Sequence, residues 1–176
     1  MKKVSEYKRY KDGMWIPHLK RTYLYWFKFL QECERSSEHK VNWKKYKSWG
    51  SSNYILGVKF DEFWLDNWKE LFGVKKQGDI PKCPLSTPSP KNESIRICWL
   101  IWLFRNTPTK RRSNTFDIAE KILKTEKRSA THNTIYTWDL SDDRNPNTMK
   151  DVQTLINRYK RQTKVMMENV CNGSFP

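Results

Sequence analysis

Four groups of side chains in this 176-residue chain have types and spacing that can do chemistry, and in each the chemistry is recognition of phosphate. Lys110, Arg111 and Arg112 fall just before a helix start at Asn114. Free amides at a helix N-terminus, joined by three cations, make a corner for a phosphate group. Arg158, Arg161 and Lys164 recur in steps of three along the last helical pattern. Such a stripe can track a phosphodiester backbone. Lys44, Lys45 and Lys47 interleave with Trp43, Tyr46 and Trp49. Bases stack on exposed rings while lysines neutralise the backbone. The three-residue spacing of those rings suits the opposite arrangement better, with rings inward and ammonium groups in water. The fourth group is Lys127, Arg128, Thr131, His132 and Asn133. It offers two cations for phosphates and three short polar chains that can reach base edges.

Catalysis is harder to assemble. His18, His39 and His132 are isolated, and Cys33, Cys83, Cys98 and Cys171 are far apart with no C-x-x-C. That spacing suits neither zinc nor a redox pair, and reduced thiols are expected. No Gly-rich phosphate loop and no G-x-S-x-G is present. Asp139, Asp142 and Asp143 can hold a metal ion for a nuclease. They sit beside Asn145 and Pro146, where acids commonly make turns, and no downstream acid–Lys pair completes a nuclease set. The expectation is a non-enzyme with no cofactor and no bound metal.

The totals agree with a polyanion partner. Net charge is +15 and the sequence pI is about 9.7. Residues 1–90 hold 18 Lys and Arg against 10 Asp and Glu, and residues 91–176 hold 16 against 9. Both halves therefore attract polyanions. Mean hydropathy is low, at -0.90. Nine Trp within a 14% aromatic content make up part of the shortfall, because each ring buries a large area. Met1–Gly13 is charged and lacks the apolar core of a signal peptide. The longest apolar run, Ile95–Phe104, is broken by Arg96 and is too short to span a bilayer. A cytoplasmic protein with no membrane partner is expected.

The elements that position these groups are helices. In Lys59–Phe72 the residues Phe60, Phe63, Trp64, Trp68, Leu71 and Phe72 fall on one face. Asp61 and Glu62 suit the first turn, and Gly73 sits where a positive φ can end the helix. This helix reads as the spine of an N-terminal unit. Before it, Met1–Gly13 reads as an irregular arm, and Pro17 as the first turn of a helix running to about Glu34. Gly50–Asn53 reads as a turn and Tyr54–Val58 as an apolar link. Pro81, Pro84, Pro88 and Pro90 cannot stay helical and read as an extended linker. The alternative is a strap anchored by Ile80, Cys83 and Leu85.

After the prolines, Ser89–Pro90 starts a helix to about Arg105 that is apolar nearly all round and should be enclosed. Asn114 with Asp117 caps a helix over Thr115–Leu123. Thr134–Trp138 suits a short strand or a helix end. Thr148 with Asp151 opens a last helix. Its seam is Met149, Val152, Ile156, Tyr159, Thr163, Met166 and Val170, and Gly173 closes it. The seam should pack within the chain, on the Ile95 helix. The predicted fold is all-α: an N-terminal unit at 1–75, a linker at 76–90 and a C-terminal helical unit at 91–176, with a short β element near 134–138.

Thr115–Trp138 resembles a helix-turn-helix. Thr115, Ile118 and Ala119 set a small residue where two helices touch, and Ser129–Thr134 supplies the reading residues. The connection Lys124–Arg128 is longer and more charged than the usual tight turn. The expected function is non-catalytic nucleic-acid binding, with duplex DNA ahead of RNA. A Lys-, Asn- and Trp-rich chain of this size fits a phage or mobile-element factor. The rival is a protein that inhibits or redirects an acidic or nucleic-acid-binding partner, and the third reading is the metal-dependent nuclease. The oligomeric state is left open.

Overall fold

The computed structural model describes residues 7–17, 20–86, 92–106, 114–126 and 146–176. The fold is all-α with one short ribbon. Strands β1 (Tyr7–Arg9) and β2 (Trp15–Pro17) precede helices α1 (Lys20–Arg35), α2 (Ser52–Gly57), α3 (Phe60–Leu71), α4 (Asn92–Phe104), α5 (Asn114–Glu126) and α6 (Pro146–Cys171). A 3-10 helix, Trp43–Trp49, lies between α1 and α2. The chain forms two compact units: Met1–Asn92 with Met166–Pro176, and Glu93–Val165. These limits differ from the blocks 1–75, 76–90 and 91–176, because the last turns of α6 return to the first unit.

The first unit opens on a hairpin. Tyr7 pairs with Pro17 and Arg9 with Trp15, antiparallel. The turn uses Gly13 at φ 79, and the Asp12 carboxylate accepts the Met14 N–H at 3.2 Å. This corrects the expected irregular arm for Tyr7–Gly13. It also moves Pro17 from a first helical turn into β2, with α1 starting at Lys20. The hairpin is held from outside: Trp15 and Val74 exchange two N–H···O bonds of 2.8 Å. No local pattern announces a ribbon whose support lies some 60 residues away along the chain.

The core of this unit is built from rings. Trp26 lies 5.1 Å from Trp49 and 5.9 Å from Phe175 between ring centres. Trp64 stacks on Phe72 at 5.2 Å. The Trp26 indole N–H donates to Tyr46 Oη at 2.8 Å, and Tyr46 O–H donates to the Val170 carbonyl at 2.6 Å. That relay ties α1, the 3-10 helix and the end of α6 together, and it satisfies two polar atoms that burial would otherwise penalise. A 3-10 helix has three residues per turn, so Trp43, Tyr46 and Trp49 line up on one side. Helix α2 begins at Ser52, inside the expected turn, because Ser51 Oγ accepts the Tyr54 N–H and caps it.

Helix α3 buries Phe63, Trp64, Trp68 and Leu71. Gly73 is not the positive-φ cap expected of it; Phe72 ends the helix at φ -120. Glycine is needed there for space, since a Cβ would lie 2.7 Å from the Lys69 carbonyl oxygen and 2.9 Å from Met14 Cε. The Pro-rich stretch is packed where it is described. Cys83 N–H donates to Leu71 O at 2.9 Å, Tyr23 O–H to Cys83 O at 3.3 Å, and Ser86 N–H to Phe175 O at 2.8 Å. Residues 76–86 thus lie as a strap on the first unit. Cys83 anchors it, whereas Ile80 is 81% exposed and anchors nothing.

The second unit has an aliphatic core. Ile95, Ile97, Cys98, Ile101, Phe116, Ile118, Ala119, Ile122, Val152 and Ile156 are buried. Helix α4 is not enclosed all round, for Leu103 is 47% exposed. The seam of α6 does pack within the chain. The single Thr163 hydroxyl proton has Tyr159 O at 2.8 Å and, across to α4, Cys98 O at 3.2 Å as acceptors. Burial lifts the Cys98 thiol to about 11. Pro146 is the first residue of α6, two before Thr148, and Asn114 is the first of α5. Both cap positions therefore fall one residue before, outside the described residues, as do Ser89–Pro90 and the β element expected near 134–138.

Candidate nucleic-acid interface

Helix α6 shows how its cations come to be together. Val152, Ile156, Tyr159 and Thr163 are buried on one side. With 3.6 residues per turn, Arg158, Arg161 and Lys164 fall on the other, and all three are exposed. The three span about 9 Å along the axis at a rise of about 1.5 Å per residue. From Val152 to Met167 the helix has four cations and no acid. The fourth, Lys160, is half-buried, and desolvation lowers its pKa. The stripe is therefore a run of positive charge bounded on its own helix by two exposed acids, Asp151 and Glu168.

In the first unit Lys44, Lys45 and Lys47 are exposed on the 3-10 helix, while Tyr46 and Trp49 are each 1% exposed. The rings belong to the core and offer no face for stacking. Trp43 is half-buried, and its indole N–H is committed to Glu34 Oε2 at 2.8 Å. The Lys45 stem lies against the turn after α6, where a Cβ on Gly173 would overlap Lys45 Cβ. Gly173 has φ 81, and its N–H and that of Ser174 bond Val170 O and Asn169 O, each at 3.0 Å. That is the Schellman end expected for this helix. No acid occurs between Lys40 and Phe60.

Of the remaining sequence candidates, Lys110, Arg111, Arg112, Lys127, Arg128, Thr131, His132 and Asn133 lie outside the described residues, as do Asp139, Asp142 and Asp143. For the helix-turn-helix resemblance, the first helix is present as α5, with Ala119 fully buried. It runs on to Glu126, so residues 124–126 of the expected connection are helical.

Some other cations are paired with acids. Lys20 pairs with Asp61 at 2.9 Å, Lys69 with Asp12 at 2.6 Å, Lys82 with Glu70 at 2.6 Å, and Lys124 with Glu120 at 2.8 Å. The Lys69 ammonium, and after it the Met14 N–H, hold the Asp12 carboxyl below its usual range. The fold also gathers Lys20, Arg21 and Lys59 around one hollow. Residue spacing held no signal for that cluster, since its parts come from the starts of two helices about 40 residues apart. Among the described residues no group of three or more His, Cys, Asp or Glu side chains is placed to hold a metal ion. All four cysteines are free thiols, and no described helix is long and apolar enough to cross a membrane. Compared with protein-family models, with curated proteins and with solved structures, the chain matches none.

Proposed function

We propose that this protein is a non-catalytic nucleic-acid-binding protein whose main ligand is duplex DNA. The observation that carries the reading is the acid-free segment of α6 from Val152 to Met167, with Arg158, Arg161 and Lys164 all exposed. Lys44, Lys45 and Lys47 on the first unit support it. Binding proceeds by counterion release, with cations set against backbone phosphates. Base reading, where it occurs, falls to Ser129–Thr134, and Lys110–Arg112 give a further phosphate contact.

Salt titration against plain duplex DNA is the test. A protein that neutralises about six phosphates loses affinity on the order of a thousandfold between about 50 and about 200 mM salt. Changing Arg158, Arg161 and Lys164 to Ala lowers the slope of log K against log salt by about three. Retention of the full slope removes α6 from the interface.

A second reading rests on Leu65, which is 72% exposed and flanked on α3 by Asp61, Glu62 and Asp66. An exposed apolar residue with three acids beside it, and Lys69 one turn on, suits a basic partner, such as a nucleic-acid-binding protein that this chain would inhibit. Absence of duplex binding at low salt favours that reading. Incubation of plasmid with magnesium or manganese addresses the nuclease, which an uncut plasmid eliminates.

A further inference from the structure

Helices α1 and α3 begin beside one another. Lys20 and Arg21 on the first, and Lys59, Phe60 and Asp61 on the second, line an open surface hollow of about 420 Å³ with Leu24 in its wall. Three cations there meet one acid. Asp61 holds the Lys20 ammonium at 2.9 Å, and the same ammonium lies 5.7 Å from the centre of the Phe60 ring and 5.5 Å from that of Trp64. Lys20 is thereby partly engaged. Arg21 and Lys59 are exposed, and neither forms an ion pair among the described residues. The hollow therefore keeps a surplus of positive charge.

The start of α3 adds to that surplus. Lys59 stands at the cap position and offers no side-chain acceptor, so the first amides of α3 lack the partner that Ser, Thr, Asp or Asn would supply. A helix start alone would mean little. Here it opens into a concavity of the size that takes small molecules. A guanidinium in its wall can bond phosphate oxygens in pairs, and Phe60 and Leu24 supply an apolar side.

We propose that this hollow binds a nucleotide: the phosphate lies between Arg21 and Lys59, and the base runs along Leu24 and Phe60. A free mononucleotide and the 5′-terminal nucleotide of a strand share this chemistry. The site is independent of duplex binding, because none of Lys44, Lys45, Lys47, Arg158, Arg161 and Lys164 lines it.

Calorimetric titration of the full chain at low salt tests the site. The ligands are AMP, adenosine, inorganic phosphate, and a single-stranded oligonucleotide with and without a 5′-phosphate. AMP binds, and adenosine binds at least about tenfold more weakly. The double change Arg21→Ala and Lys59→Ala weakens AMP binding at least about tenfold with the helical circular dichroism unchanged, whereas Lys44→Ala with Lys47→Ala leaves it as it was. A preference for the 5′-phosphorylated oligonucleotide over its unphosphorylated form assigns the site to strand ends, and AMP binding without that preference assigns it to the free nucleotide. Equal affinity for AMP and adenosine overturns the site. So does AMP affinity untouched by Arg21→Ala and Lys59→Ala, equal loss in the two double variants, or no binding of any phosphate ligand at millimolar concentration. Inorganic phosphate as tight as AMP overturns the nucleotide assignment.

Discussion

Helices α3 and α6 are both amphipathic, and both are followed by a glycine, yet they treat charge and termination in opposite ways. The outer face of α3 carries Asp61, Glu62, Asp66 and Glu70, and two of these acids pair with Lys20 and Lys82 from elsewhere in the chain. The outer face of α6 carries Arg158, Arg161 and Lys164 with no acid between them. After α3, Gly73 is required because its neighbours leave no room for a Cβ. After α6, Gly173 is required because its backbone takes φ 81, with the overlap on Lys45 as a second reason.

The contrast separates two uses of a charged face. Paired lysines around α3 are neutralised where they stand, and surface pairs of this kind add little to stability. Like charges at a helical spacing of three repel one another. The polyanion ligand proposed above would offset that repulsion. The cores differ as well. Stacked and edge-on rings fill the first unit, while isoleucines and a buried thiol fill the second.

The largest expected effect tests the two cores. Trp64→Ala and Trp68→Ala on α3 each cost about 3–5 kcal/mol, whereas Ile156→Val on α6 costs about 0.5–1.5 kcal/mol, read by urea unfolding. A melting point for Trp64→Ala within a degree or so of wild type breaks the assignment of that face as buried. Next comes the pair of glycines. Gly173→Ala costs about 1–2 kcal/mol from its left-handed backbone alone, and the overlap with Lys45 adds to that. In Gly73→Ala the cost is steric only, so asparagine in place of alanine, which suits positive φ, recovers stability at 173 and none at 73. Equal penalties at both sites would erase the distinction.

The smallest effect is a pH dependence. Asp12 is held below its usual pKa by Lys69, so its contribution is complete above the unfolded value of about 3.9 and fades as pH falls through the lowered folded value. Asp12→Asn therefore flattens the acid limb of the stability curve below about pH 4. An unchanged limb would mean that the pair with Lys69 does not persist in solution.

Most helices were legible because their signal is local. Phe63, Trp64, Trp68 and Leu71 must share a side at 3.6 residues per turn, whatever the rest of the chain does. The seam of α6 and its glycine stop were legible for the same reason. The hairpin was not, because Trp15 is held by Val74 and not by its own neighbours. Nor was the role of Cys83, whose bonds run to Leu71, Tyr23 and Trp49.

The sequence by itself determined that this is a helical chain with a surplus of cations, since both follow from residue type and period. Which cations find an acid was a tertiary decision. Lys20 finds Asp61 across 41 positions and Lys82 finds Glu70 across 12, while Arg158 and Arg161 meet no acid among the described residues. Ion pairing acts over a few ångströms of space. Only the folded backbone sets which residues stand that close.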